Sequence, residues 1–174
     1  MSDTHGDASG LVAVLGRLGR SVQALVHLGD GAADVEAAMR SGCPMPPSYA
    51  VRGNVDPDWS IPPTRRIAVN DMVVLAAHGH HYPSDSLEPM VRAARSQGAR
   101  GFLFGHTHVP FWRDADGILL LNPGSLSRPR GPWGASFAVL EAPAGSSGQL
   151  DAKLYELCGP KAAPRFRAIH HQGA

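Results

Sequence analysis

Five short clusters of aspartate, asparagine and histidine lie along this chain of 174 residues. Carboxylate and amide oxygens and imidazole nitrogens are ligands of hard to borderline divalent cations. Every cluster except the first follows an apolar, strand-like run, and strand ends of this kind would direct the side chains into one pocket. The sequence therefore predicts a divalent-metal site. The clusters are Asp3-Thr4-His5, Gly29-Asp30, Gly53-Asn54-Val55-Asp56, His78-Gly79-His80 and Gly105-His106-Thr107-His108.

Asp30 and Asn54 also have ordinary structural interpretations. Asp30 follows a buried strand and comes shortly before a predicted helix, where aspartate commonly caps the amino end. Asn54 by itself is typical of a turn. A carboxylate can instead use its two oxygens to bridge two cations about 3.5–4 Å apart. The position of Asp30 therefore fits either a helix cap or a bridging ligand.

The first and last clusters share a one-residue spacing. On an extended segment, Asp3 and His5 point to the same side, and His106 and His108 repeat that spacing. The alternative for His106 and His108 is a pair of exposed loop histidines. The apolar run 102–104 that precedes them favours the pocket.

Composition and charge narrow the class of protein. With 43% hydrophobic residues, the chain can bury one sizeable core, and we expect a single domain. The formal net charge of +1 gives no field for nucleic acid or a membrane surface. No apolar run approaches the roughly 20 residues of a membrane span. Cys43 and Cys158 are predicted to be unpaired thiols, which favours a reduced, cytoplasmic protein.

The predicted elements begin with alternating helices and strands and end in hairpins. His27, inside the strand 24–28, fits a satisfied core histidine. Helical spacing and alanine content predict helices near 11–19, 32–39 and 87–97. Residues 1–160 are expected to form one domain of α/β sandwich type, and 161–174 a flexible carboxyl-terminal tail. Further strands are predicted at 49–52, 66–69, 72–76, 101–104, 109–112, 118–121, 136–141 and 149–157.

The ordered motifs resemble the calcineurin-like metallophosphoesterases, and most closely their small bacterial phosphodiesterase group. The resemblance covers residues 3–130 and includes Asn122-Pro123-Gly124-Ser125 with the later Arg128-Pro129-Arg130. It implies a four-layer sandwich of two packed mixed β-sheets flanked by helices. Carried over by position, one cation would be held by Asp3, His5, Asp30 and His108, and a second by Asp30, Asn54, His78 and His106, so that Asp30 bridges.

The chemistry that this resemblance implies is hydrolysis of small phosphodiesters. Two divalent cations would lower the pKa of water from about 15.7 to about 7, and the metal-bound hydroxide would attack phosphorus in line. Mixed oxygen and nitrogen ligation accommodates Mn²⁺, Fe, Zn²⁺ or Ni²⁺, and the resemblance favours Mn²⁺. The expected partner is a small phosphodiester, with nucleic acid only as a nucleotide-like substrate and with no membrane. A homo-oligomer stays open.

Two interpretations remain for each of three positions near the expected substrate, His80, Arg128 and Arg130. Val55 stands where many family members carry a histidine beside the leaving group, although the small bacterial group lacks it as well. His80 could protonate the leaving group instead, and the alternative is a solvated or supporting histidine. Arg128 and Arg130 fit substrate-phosphate ligands, with Asn54 beside them, and equally fit surface residues of a Pro-rich turn.

The start of the sequence departs from the family pattern. The first motif normally ends a buried apolar strand, whereas only Met1 and Ser2 precede Asp3 here. Loss of a central strand would leave backbone groups unpaired. The sequence is therefore expected to be a truncated reading, or else to close its sheet in another way.

Three functions are compatible with the motifs. A metal-dependent phosphodiesterase leads, and a phosphomonoesterase would use the same metal pair with a different pocket. One branch of the superfamily uses the fold as a non-catalytic protein-interaction scaffold. Loss of ligands would favour the scaffold, but every ligand position is filled here.

Overall fold

The computed structural model describes residues 1–83, 85–143 and 149–170. Helix α1 is Ser9–Leu18 and continues into a single 3₁₀ turn at Gly19–Ser21; α2 is Ala32–Arg40 and α3 is Glu88–Ser96. In these described ranges no helix is long and apolar enough to cross a membrane.

The first two strands deliver two of the predicted motifs. β1 is Leu25–His27 and β2 is Ser48–Ala50, and they pair in parallel. Because parallel strands end at the same edge of a sheet, Asp30 and Asn54 follow β1 and β2 on one side. This alternation of strand and helix matches the prediction for the first part of the chain.

A five-stranded mixed sheet delivers the two histidine motifs. β4, β5 and β7 are parallel and almost wholly buried, because both faces of the sheet are covered. His78 follows β4, and Gly105 follows β5 after one further residue. The strands lie in the order β3 (Thr64–Val69), β4 (Met72–Ala77), β5 (Gly101–Leu103), β7 (Ile118–Pro123) and β6 (Pro110–Ala115).

A three-stranded antiparallel sheet completes the fold. Its order is β10 (Arg165–Ile169), β9 (Asp151–Cys158) and β8 (Ser136–Glu141). β8 is therefore an edge strand of this sheet. Residues 1–3 lie between β1 and the segment that leads to β8.

Three apolar clusters separate four layers. One packs α3 against the five-stranded sheet, with Ala94 and Phe102 fully buried. The second lies between the five-stranded sheet and the smaller sheets. The third packs α1 and α2 on the smaller sheets, around Leu11 and Phe137. The expected α/β four-layer arrangement is confirmed.

The prediction of a flexible tail from residue 161 is wrong for 165–169. These residues form β10, which pairs with β9 throughout its length. Phe166 packs edge-on to the ring of Phe137 at 4.8 Å, and Ile169 is buried. Single apolar residues between arginines show no clear period, so only the tertiary contact reveals this strand. Residues 171–174 of the predicted tail lie outside the described residues.

Candidate metal centre

Asp3, His5 and His108 form a first group of ligand atoms. His108 Nε2 lies 3.2 Å from Asp3 Oδ1 and 3.2 Å from His5 Nε2. The His108 Nδ1 atom is 2.6 Å from the carbonyl oxygen of Arg128. A carbonyl oxygen only accepts hydrogen bonds, so the neutral ring carries its proton on Nδ1 and directs the Nε2 lone pair at Asp3.

The second group consists of Asp30, Asn54 and His78, and a backbone carbonyl oxygen again fixes the tautomer of its histidine. His78 Nδ1 lies 2.7 Å from the carbonyl oxygen of Leu28, which fixes the proton on Nδ1. The Nε2 lone pair then faces Asn54 Oδ1 at 3.1 Å and Asp30 Oδ1 at 3.4 Å. Backbone carbonyls that fix histidine tautomers in this way are usual behind metal ligands.

The two groups adjoin through Asp3. One ligand atom each of Asp3, Asp30 and His78 lie within 4.8 Å of one another, as do those of Asp3, His5 and His108. Asp3 is fully buried, and its Oδ1 receives no hydrogen bond from any described residue. A buried carboxylate oxygen without a donor, surrounded by lone pairs, is expensive unless a cation is present. The residues therefore fit divalent cations.

The histidine motif after β5 reaches the same place. The backbone N–H of His106 donates to Asp3 Oδ2 at 3.1 Å, and its ring lies 5.2 Å from that of His78, centroid to centroid. His106 is exposed, as is Asn54. The exposed members mark the side from which a substrate would enter. All seven predicted ligands thus lie in one region.

Burial and charge act against each other on the titrating groups. Burial is the largest cause that raises the pKa of Asp3, and the negative charge of Asp30 adds to it. Burial would also raise that of Asp30, but the protonated form of His78, which can donate from Nε2, and the Val55 N–H outweigh it and lower the pKa to about 2. Burial likewise opposes a raised pKa of His78, and the carboxylates of Asp30 and Asp3 overcome it. The raised pKa values of Asp3 and His78 therefore show that the centre favours a positive charge beside its carboxylates.

The backbone is strained where the ligands lie. Asp3, His5, Asp30, His106 and His108 have positive φ angles of 55°, 46°, 52°, 68° and 62°. Among the described residues only Asn70 and Asp116 share this feature without being glycine, and both lie in hairpin turns. Such conformations cost about 1–3 kcal/mol each and cluster at functional sites. These backbone conformations direct the ligand side chains towards the centre.

Glycines let the motif backbones approach each other. A Cβ atom on Gly53 would lie 2.1 Å from Asp30 Oδ1 and 2.3 Å from the Asp30 backbone nitrogen. A Cβ atom on Gly105 would lie 2.7 Å from Asp3 Oδ2. The positions before Asn54 and His106 therefore require glycine for steric reasons, and the motifs alone do not show this requirement.

Asp56 belongs to the third sequence cluster, where no role was predicted for it, and the structure shows that it is a supporting residue. Its carboxylate accepts from the backbone N–H groups of Asp30, Gly31, Ala32 and Gly53 at 2.7–3.0 Å. It thereby ties the turn after β1 to the turn after β2. The helix-cap interpretation of Asp30 is not observed, because Asp56 binds these amides from a distance. An aspartate three residues after Gly53 was the available signal, since this spacing is typical of local carboxylate–backbone bonds.

The remaining candidates surround the centre. The ring of His80 lies 5.4 Å from that of His78, and its buried Nδ1 has no partner among the described residues. Arg128 is exposed. Burial is the largest cause that lowers the pKa of His5, and the negative charges of Asp30 and Asp3 oppose it. The positive charge of Arg128 also lowers this pKa. Arg130 donates its backbone N–H to the His108 carbonyl oxygen.

His27 is the core histidine that the sequence predicted. Its Nδ1 accepts from the Gly29 N–H, so the neutral ring carries its proton on Nε2, 3.1 Å from Thr4 Oγ1. The Thr4 hydroxyl donates in turn to the buried carboxylate of Asp34. This chain of bonds holds the segment between Asp3 and His5, and neither Thr4 nor Asp34 stood out in the sequence.

Comparison with known proteins identifies the family. The calcineurin-like phosphoesterase superfamily domain matches residues 1–145. A probable metallophosphoesterase of Methanothermobacter thermautotrophicus is 31% identical over 135 residues, 75% of this chain and 77% of that protein. Phosphodiesterase YfcE of Escherichia coli is 29% identical over 161 residues, 80% of this chain and 84% of YfcE. The chain belongs to the calcineurin-like phosphoesterase superfamily, and its relatives support a metal-dependent phosphoester hydrolase at the level of the family.

Solved structures agree with the fold. Vps29 of Chaetomium thermophilum has a TM-score of 0.77 with 16% identity, covering 97% of this chain and 93% of Vps29. The structure of E. coli YfcE has a TM-score of 0.60 with 26% identity, covering 79% and 84%. At 16% identity, the likeness to Vps29 shows the fold alone. The family resemblance seen in the motifs is confirmed.

Replacing Gly53 with alanine should disrupt the centre. The new methyl group would collide with Asp30, so we expect Gly53→Ala to weaken Mn²⁺ binding by at least about tenfold. Calorimetric titration of the metal-free protein measures this. Gly16→Ala is the matched control, since its Cβ meets no atom within 4 Å and lies inside α1. It should keep wild-type affinity and gain up to about 1 kcal/mol of stability. Wild-type affinity in Gly53→Ala would contradict the close approach.

His27 should make the fold sensitive to acid. Burial is the main cause that lowers its pKa from 6.5 to about 3. Between these values the unfolded chain binds a proton that the folded chain does not, so the free energy of unfolding falls as pH falls. We expect His27→Gln to lose less Tm than wild type between about pH 7 and about pH 4.5. Thermal melts of the metal-free proteins measure this, with exposed His170→Gln as control. Parallel pH profiles for His27→Gln and wild type would refute it.

Proposed function

We propose that this protein is a two-metal phosphodiesterase that hydrolyses small phosphodiesters. The observation that carries the proposal is the convergence of lone pairs on two adjoining groups, with an orphaned Asp3 oxygen between them. In this arrangement Asp30 would contribute to both cations, as the family motif implies. Asp3, His5, Asp30 and His108 would hold one cation, and Asp30, Asn54, His78 and His106 the other.

Two cations held by these residues would supply an activated water and neutralise the phosphoryl oxygens of the substrate. The mixed oxygen and nitrogen donors suit Mn²⁺, which we propose as the native ion, and Fe, Zn²⁺ or Ni²⁺ are alternatives. The chain itself supplies rigidity. Asp30 is fixed by the Val55 N–H at 3.0 Å, and His78 by the Leu28 carbonyl oxygen at 2.7 Å.

Exposed polar groups would receive the substrate. Asn54 and His106 lie at the surface of the centre. The positive charge of Arg128 contributes to lowering the pKa of His5, after burial as the largest cause. We propose that Arg128 binds a phosphoryl oxygen, with Arg130 in a weaker supporting role. Val55 can donate no proton to a leaving group. His80, whose ring lies 6.2 Å from that of His106, is the proposed donor.

The preference for diesters rests on the relative named phosphodiesterase YfcE, and a monoesterase or a scaffold are the alternatives. Retention of all seven ligand types in one place favours a catalyst over a scaffold. Cys43 and Cys158 are free, as predicted, which supports a proposed cytoplasmic location. A homo-oligomer stays a proposal.

Hydrolysis assays test the reaction class directly. With Mn²⁺, we expect turnover of a bis-aryl phosphodiester to exceed that of the aryl monoester. His78→Ala should lower diester turnover by more than about a hundredfold, since a ligand itself is lost. His170→Ala controls for the loss of a histidine far along the chain and should keep full activity.

Each outcome of that assay is informative. Faster turnover of the monoester would make the protein a monoesterase. Folded, metal-loaded protein that turns over neither ester would favour the scaffold. Full activity in His78→Ala would exclude the proposed metal pair.

Arg128 should contribute mainly to substrate binding. We expect Arg128→Ala to raise KM by about tenfold, because a charge-assisted bond to phosphate is lost. Arg130→Ala should have a smaller effect, since its described contact with the site is the backbone N–H to His108. Steady-state kinetics on the diester separate KM from kcat. Unchanged KM in Arg128→Ala would exclude the phosphate contact.

A further inference from the structure

The segment that carries Asn54 also presents two apolar side chains to solvent. Trp59 is 80% exposed and Val55 is 56% exposed, more than any other large apolar side chain among the described residues. The segment is closed at its base, where the Arg52 N–H donates to the Pro62 carbonyl oxygen at 2.9 Å. Residues 52–62 therefore form one closed loop, here called the Asn54 loop.

The indole ring of Trp59 is held on one side by Arg52. The guanidinium carbon of Arg52 lies 3.9 Å from the centre of the ring, which is a cation–π contact. The same guanidinium donates through Nη1 to the Trp59 carbonyl oxygen at 3.4 Å. Arg52 is half-buried, whereas Trp59 is largely exposed. The ring is thus fixed through one face, and its other face is available to a ligand.

Strand register places the base of the Asn54 loop beside the metal centre. Thr64, the first residue of β3, pairs with Ala77, the last residue of β4, and His78 follows directly. Because the two strands are antiparallel, β3 begins at the edge of the sheet where β4 ends. Pro62, which bonds Arg52, lies only two residues before Thr64. The stack of Arg52 and Trp59 therefore starts from the edge that carries the ligands.

Two further contacts connect the loop with the centre. Asn54 Oδ1 lies 3.1 Å from His78 Nε2. Arg52 precedes Asn54 by two residues, so their Cα atoms are within about 7 Å of each other. Arg65 Nε donates to the Ala50 carbonyl oxygen at 2.8 Å, which ties the start of β3 to the end of β2. A substrate held at Asn54 would therefore reach the stack with its ester group.

The chemistry of the open indole face selects a flat aromatic group. Stacking of a nucleobase on an aromatic side chain contributes about 1–3 kcal/mol and tolerates any base. A small alkyl group offers no flat surface to cover the ring. The formal net charge of +1 gives no field for a long nucleic acid strand, so the fitting ligand is a single nucleotide unit.

We propose that the open face of Trp59 is a nucleobase site and that the substrates of the metal centre are small diesters of nucleoside phosphates. This inference rests on the proposed function and names the ester group that the metal ligands do not select. The phosphoryl group would lie at the cations, and the base would lie on Trp59. Arg52 is a positioning residue, because it holds the ring.

Two diesters with the same leaving group test the proposal. The 4-nitrophenyl ester of thymidine 5′-monophosphate carries a base, whereas methyl 4-nitrophenyl phosphate does not. With Mn²⁺, we expect Trp59→Ala to raise KM for the thymidine ester about tenfold and to leave KM for the methyl ester unchanged, because only the base is lost from the ring. Trp59→Phe should recover part of the affinity. Met39→Ala, which shortens a 54% exposed side chain on α2, is the matched control and should change neither KM.

Arg52→Gln separates positioning of the ring from binding of phosphate. We expect it to raise KM for the thymidine ester alone, by a smaller factor than Trp59→Ala, because the ring loses its support but remains present. An equal rise in KM for both esters would assign Arg52 to the phosphate and overturn its positioning role.

A binding measurement makes the test independent of turnover. The chain has three tryptophans, and Trp59→Phe identifies the indole N–H signal of Trp59 in NMR spectra of the Zn²⁺-loaded protein. Adenosine 5′-monophosphate should shift this signal, and ribose 5-phosphate, which has the phosphate without a base, should not. An unchanged signal with adenosine 5′-monophosphate would overturn the nucleobase site.

The two assays distinguish failure of this inference from failure of the proposed function. Turnover of both esters, with the same change of KM in Trp59→Ala, would overturn the nucleobase site while the phosphodiesterase stands. A shifted Trp59 signal in a protein that hydrolyses neither ester would support the nucleobase site and overturn the proposed reaction.

Discussion

The structure depends on keeping two carboxylates, Asp3 and Asp30, close together inside the protein with lone pairs of histidine around them. His78 and His108 are each held through their other nitrogen by a backbone carbonyl oxygen, that of Leu28 and Arg128 respectively. In their neutral forms these rings therefore present acceptors to the carboxylate oxygens. Such a place is unfavourable for a protein alone and favourable for divalent cations, so the same interactions that cost stability create the affinity.

The surrounding backbone explains how the fold tolerates that cost. Strained positive φ angles turn the ligands inward, and the close approach of Gly53 to Asp30 leaves no room for a side chain. Asp56 gathers four amides from two turns and so connects the ligands that follow β1 and β2. Thr4, between His27 and Asp34, does the same for the first motif. The centre is therefore a property of four strand ends held together, and no single motif contains it.

Sequence patterns predicted the parts that depend on local chemistry. Buried strands such as β4 and β5 were predicted correctly because both of their faces are apolar, and the order of the ligand types indicated residues that the structure brings together. β10 was missed because its pairing with β9 and the contact of Phe166 with Phe137 are tertiary. Asp56 was missed for a related reason, since three of its four amide partners lie more than twenty residues away. Local pattern cannot state which distant backbone group a carboxylate will bind.

The edge of β1 and the metal centre are connected through residues 1–3. Asp3 is both a ligand candidate and the end of the short strand piece that pairs with Leu28 and Gly29. Rigid support of a ligand lowers the entropy lost on binding. The hydrogen bonds that fix residues 1–3 against β1 therefore also prepare Asp3 for a cation, because the same short segment belongs to the sheet edge and to the centre.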